Sequence, residues 1–110
     1  MSLLDLSVTG TTSGPVVVLS GEADLTTLDQ LNGVLNEQIR SGSRLVTADV
    51  SGLRFADSAT ITALARAARV LRERGGDLEI LDPHPAVVRI LSLTGVDQLL
   101  TVRHAPPLDR

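Results

Sequence analysis

The stretch Leu4-Asp5-Leu6-Ser7-Val8 alternates apolar and polar side chains with period two, as a half-buried strand does. A turn-rich segment, Thr9 to Gly14, separates it from a second β-type run, Pro15 to Ser20, and the short link predicts a hairpin. Gly21-Glu22-Ala23-Asp24 then breaks the run. Asp24 or Thr26 is placed to cap a helix reaching about Arg40, with Leu28, Leu31, Leu35 and Ile39 on one face. Ser41-Gly42-Ser43 ends it. Leu45 to Val50 carries apolar residues on both faces, which suits a central parallel strand. In the loop expected after it, Leu53 and Phe55 alternate inward as anchors.

At Ser58 the period changes to 3.6. Ile61, Leu64, Ala68 and Leu71 form one stripe, and Thr62, Arg66, Arg69 and Glu73 form the opposite, wet face. Gly75-Gly76 stops this helix at about Arg74. Asp77 to Leu81 is another strand. Asp82-Pro83-His84-Pro85 turns into a helix through about Leu93, with Val87, Ile90 and Leu91 inward and Gly95 as its stop. Val96 to Leu100 predicts one more helical turn, and Thr101-Val102-Arg103 a last short strand. The order ββαβαβα, with a short helix and strand after it, predicts an α/β fold. It is one mixed, mostly parallel sheet of four to five strands with about four helices packed on it. Residues 1–110 are expected to form a single domain, with about 104–110 as a frayed tail.

Composition changes the picture mainly by exclusion. Phe55 is the sole aromatic residue, which argues against stacking platforms for single-stranded nucleic acid. A formal charge of −3 gives no broad attraction to DNA or RNA. With no cysteine and two histidines, disulfides are excluded and a zinc site is not expected. No cofactor is expected. No apolar run approaches membrane-spanning length, so the expectation is a cytoplasmic protein without membrane insertion. A monomer or weak dimer is expected, since the hairpin edge strand can stay bare or pair.

Candidate chemistry gathers at the junction Phe55-Ala56-Asp57-Ser58-Ala59-Thr60, where a strand hands over to a helix. The simplest role for Asp57-Ser58 is an N-cap. The functional alternative is that Ser58 accepts a phosphate, whose charge of about −1.5 to −2 would change how a partner meets this surface. Gly21-Glu22-Ala23-Asp24 is either a plain strand-to-helix turn or a second acidic loop beside Ser58. Loops leaving the same edge of parallel neighbours are where open α/β sheets place their sites. The set Arg66, Arg69, Arg72 and Arg74 is most simply a solvated helix face, diluted by Glu73. Enzyme readings fare poorly. There is no G-x-x-x-x-G-K loop, and Ser58 has no histidine nearby in sequence, only His84 and His104 in unrelated segments.

Asp49-Val50-Ser51-Gly52-Leu53-Arg54-Phe55-Ala56-Asp57-Ser58, followed by a helix, resembles the signature of STAS domains. It looks most like the single-domain bacterial anti-sigma factor antagonists. Gly21-Glu22-Ala23-Asp24 is similar to the family's Gly-Glu-Leu-Asp turn. Gly75-Gly76 before a strand and the Leu93-Thr94-Gly95-Val96 helix end agree with it, so the resemblance spans about Leu4 to Arg103.

That resemblance implies a regulatory binding protein and not an enzyme. Its expected partners are an anti-sigma factor that is also a serine kinase, and a phosphatase. The unphosphorylated antagonist would hold the kinase and free a sigma factor, and phosphorylation of Ser58 would break the complex. Glu22, Asp24, Asp57, Ser58, Ala59, Thr60 and Thr62 are the expected partner-binding residues. The family usually continues Asp-Ser-Ser/Thr-Gly-Leu, whereas this chain continues Asp57-Ser58-Ala59-Thr60-Ile61. Ala59 removes a hydroxyl, and Thr60 adds a branched side chain that is expected to obstruct a kinase or change which kinase fits. The alternative reading is a STAS accessory subunit of a transporter ATPase or scaffolding assembly, without a phosphate switch.

Overall fold

The computed structural model describes residues 3–104; the expected tail beyond His104 lies outside the described residues. Five strands form one sheet in the order β1-β2-β3-β4-β5. They are β1 (Leu4–Thr11), β2 (Gly14–Ala23), β3 (Leu45–Ala56), β4 (Asp77–Leu81) and β5 (Thr101–Arg103). The first two pair antiparallel as a hairpin, and every later pair is parallel. Three α-helices make the crossovers: α1 (Leu28–Arg40), α2 (Ser58–Glu73) and α3 (Pro85–Thr94). The fourth expected helix is only a 3-10 turn, Val96–Gln98, and a second 3-10 turn, Leu25–Thr27, leads into α1.

The core follows the two periodicities. Val17, Leu19, Val46, Ala48, Leu78 and Ile80, alternate residues of β2, β3 and β4, are all at most 1% exposed. From α2 the whole predicted stripe, Ile61, Leu64, Ala68 and Leu71, packs against them. From α1, Leu31 and Leu35 are buried, with Leu28 and Ile39 at the margin.

Two expectations fail in the same place. Neither β2 nor β3 stops where sequence suggested. Gly21 to Ala23 stays in β2, and the supposed loop Ser51 to Ala56 continues β3. The reason lies in the register. Val18 pairs with Asp49 but Ser20 with Gly52, and Gly21 pairs with Leu53 but Glu22 with Phe55. Each step inserts one extra residue into β3, and each such bulge switches which parity faces inward. Inward positions therefore run Val46, Ala48, Val50, then Leu53, then Ala56, all buried. Leu53 anchors as expected. Phe55 does not: the second bulge turns it outward, 45% exposed, and Ala56 takes the inner place.

Two arginines tie the far edge of the sheet: Arg103 donates from Nε to Glu79 Oε1 (3.1 Å) between β5 and β4, and Arg72 makes a wider set of bonds. Arg72 donates from Nε to Asp77 Oδ1 (2.8 Å), from Nη1 to the Leu99 carbonyl (2.6 Å) and from Nη2 to Thr101 Oγ1 (3.2 Å). Asp77 also accepts from Thr101 Oγ1 (2.7 Å) and the Leu78 N–H (2.8 Å). Partial burial opposes its charge, but the Thr101, Arg72 and Leu78 hydrogen bonds outweigh this and hold its carboxyl below the usual range. A carboxylate with a depressed folded pKa adds stability above its unfolded pKa and loses it as pH falls through the folded one. Urea midpoints should therefore fall between neutral pH and pH ~3, and fall less steeply in Asp77→Asn. An unchanged acid slope would show that Asp77 carries no part of it.

Candidate functional site

The ends of β2 and β3 lie side by side. Ala23 pairs with Ala56, and the Asp57 N–H donates to the Ala23 carbonyl (3.1 Å). This contact brings Gly21-Glu22-Ala23-Asp24 against Asp57-Ser58. Each chain leaves its strand through a cap. Asp24 Oδ1 accepts from the N–H of Thr26 (2.9 Å) and from its hydroxyl, and the Asp24 N–H donates to Thr27 Oγ1 (3.0 Å). The Thr26 hydroxyl holds the Asp24 carboxyl below its usual value against the opposing effect of desolvation, with the N–H groups of Thr26 and Thr27 adding to it.

Asp57 caps α2. Its backbone is extended, and Oδ1 accepts from the Thr60 N–H (2.9 Å) and the Thr60 hydroxyl (2.8 Å). Capping thus falls to Asp57 and not to Ser58. Thr60 is 0% exposed. The sequence alone places it on the partner surface, obstructing a kinase. Instead its side chain is turned into the core and its hydroxyl is spent on Asp57. Asp57→Ala removes the cap and strands that buried hydroxyl, so a loss of about 2–3 kcal/mol is expected. Adding Thr60→Val should restore part of it in a urea double-mutant cycle; strict additivity would mean the two side chains act separately.

Ser58 is exposed at the first position of α2, and its hydroxyl has no hydrogen-bond partner among the described residues. Glu22 is exposed too, paired in register with Phe55. Asp24, Asp57 and Ala59 are half-buried, and Thr62 is exposed one turn after Ser58. Ser58, Ala59, Thr62 and Arg66 line a shallow cleft of about 230 Å³, closed on the other side by Leu28 and Asn32 of α1. Sequence reasoning missed His84, whose Nδ1 accepts from the Ala86 N–H (3.1 Å) to cap α3. The Pro85 after it, at a helix start, was the available signal.

Residues 6–101 match the family model described as Mlab, STAS domain. The chain belongs to the STAS domain family. Among curated proteins, the anti-sigma F factor antagonist of Paenibacillus polymyxa is 26% identical over 88 residues, 79% of this chain and 75% of that protein. Among solved structures, an anti-sigma factor antagonist from Mycobacterium paratuberculosis superposes with TM-score 0.84 at 25% identity, covering 96% of this STAS domain and 88% of that chain. The Bacillus protein SpoIIAA shares the fold at 21% identity. Its unphosphorylated form gives TM-score 0.80, covering 93% of this chain and 89% of its own. Its phosphorylated form gives 0.72, covering 94% and 91%. Among the described residues of this STAS domain no helix is long and apolar enough to cross a membrane.

Proposed function

We propose that this STAS domain is an anti-sigma factor antagonist that binds a serine-kinase anti-sigma factor and is released by phosphorylation of Ser58. The observation that carries the reading is the unengaged Ser58 hydroxyl. Capping of α2 is already done by Asp57, so Ser58 has no structural task at a position open to a visitor. Its neighbours Glu22, Asp24 and Asp57 make the rim acidic, which suits a basic partner surface. A phosphate there adds charge to an already acidic rim, so a docked partner faces repulsion while the fold, capped independently, is untouched. Ala59 has no hydroxyl and Thr60 is buried, which leaves Ser58 as the one accessible acceptor between Asp57 and Ile61.

The test is incubation with ATP and the cognate kinase, followed by intact-mass and peptide spectrometry of wild type and Ser58→Ala. One phosphate on wild type and none on Ser58→Ala is expected. Equal phosphate on both removes Ser58 as acceptor. A second reading, an accessory subunit of a transporter ATPase without a phosphate switch, is favoured by Ala59 and Thr60 standing where the family usually has Ser/Thr and Gly after Asp-Ser. Affinity capture that recovers a transporter ATPase, equally with Ser58→Glu as with wild type, would establish it over the first.

A further inference from the structure

The other flank of α2 carries a groove that shares Thr62 and Arg66 with the Ser58 cleft and runs on along the helix away from Ser58. It encloses about 510 Å³ and runs from Thr62 to Glu73, with Leu99 as its opposite wall. At 1.5 Å per residue that is about 16 Å of helix, three turns long. Its lining is mostly apolar, from Ala65, the stems of the arginines and Leu99, which is 56% exposed. The wall is fixed before any partner arrives, because Arg72 holds the Leu99 carbonyl while bound to Asp77. Arg66 and Arg69, one turn apart, line the same groove and have neither a hydrogen bond nor an ion pair among the described residues. Glu73 lies at the far end and offsets part of their charge. On a chain of net charge −3, two unneutralised cations beside an exposed leucine are a local reversal of sign.

We infer that this groove is a docking site for an acidic amphipathic helix of a partner protein. An apolar edge of the helix packs on Leu99 and Ala65, and carboxylates spaced one turn apart meet Arg66 and Arg69. The length fits three turns of a helix laid along α2, as in helix-in-groove recognition. A nucleic acid fits poorly: two cations on an acidic chain release few counterions. Arg66 also lines the cleft that holds Ser58, so the groove continues from the acidic rim. Basic flank and acidic rim together would admit a partner in one orientation. The inference is independent of the kinase reading, since it needs no phosphate and is tested without a kinase.

The probe is a model peptide of about 15 residues, long enough to form helix, with leucine on one face and glutamate on the other. It is titrated into isotopically labelled protein at low and high salt. Shifts confined to Ala65, Arg66, Arg69 and Leu99, weakened by salt, are expected. Arg66→Glu with Arg69→Glu should weaken binding at least about tenfold, Arg66→Gln with Arg69→Gln less, and Arg54→Glu not at all. Circular dichroism checks that each variant is folded. Absence of binding, shifts centred elsewhere, or equal affinity for a lysine-for-glutamate peptide overturns the inference. So does binding of phosphatidylglycerol vesicles in place of the peptide.

Discussion

Ser58→Glu is expected to weaken capture of the partner kinase by more than 100-fold, about 3 kcal/mol, while leaving the domain as stable as before. The partner must lose the water around this hydroxyl when it docks, and a carboxylate there would be buried beside Glu22, Asp24 and Asp57, a repulsion that Arg66 of the same cleft offsets only in part. The fold does not share the cost. Ser58 is the first residue of α2, where the helix dipole favours a negative charge by about 0.3–1 kcal/mol, and the cap on Thr60 belongs to Asp57. Calorimetric titration with the kinase, together with urea melts, separates the two effects. Unchanged affinity in a folded variant would remove the switch from the proposal. Lost affinity with lost stability would locate the effect in the fold.

Gly76→Ala is expected to cost about 3 kcal/mol. The end of α2 is a Schellman motif: the Gly76 N–H donates to the Leu71 carbonyl (2.8 Å) and the Gly75 N–H to the Arg72 carbonyl (3.0 Å). Gly75 has φ +81°, so alanine there pays the left-handed penalty of about 1–2 kcal/mol. Gly76 has a different reason to be glycine. A Cβ on it would collide with the Arg44 carbonyl, which is held in place by accepting from the Asp77 N–H (2.9 Å) where β4 starts beside β3. Backbone on both sides leaves no side chain free to give way. The comparison to make is Gly75→Ala against Gly76→Ala in urea; equal midpoints would show that the close approach is not rigid.

This pair of glycines also marks the limit of what could be read without coordinates. That Gly75-Gly76 stops α2 was legible, because a helix needs a left-handed residue there. That the second glycine serves β3–β4 contact was not, because the carbonyl it meets is Arg44, far away in sequence. The stripe of α2, the inward face of α3 and the presence of five strands were legible, but the ends were not: β1 runs to Thr11, β2 to Ala23 and β3 to Ala56. The bulges were not. Arg54 and the residues near Val50 and Ser51 carry no local sign that two β3 residues will face one on β2, and so Phe55 was assigned to the wrong side. At the site, the juxtaposition of Glu22 and Asp24 with Asp57 and Ser58 followed from parallel neighbours. Which of the polar groups was already occupied did not follow: the hydroxyl of Thr60 looks like a surface group in a list of residues and is a buried tether in space.

The two added residues in β3 bear on how this region can vary. Each shifts the inward parity once, so Leu53, Ala56 and the start of α2 owe their placement to a residue count. Removing Arg54 alone would take out the second bulge and leave Leu53, Phe55 and Ala56 opposite Gly21, Glu22 and Ala23, whereas an added paired residue would turn Ala56 to the opposite face. Exchange of one amino acid for another leaves that count intact. The exposed positions Ser51, Arg54 and Phe55 are thus the ones that combinatorial libraries aimed at retuning partner choice can vary, with Leu53 and Ala56 kept and the number of paired residues held fixed.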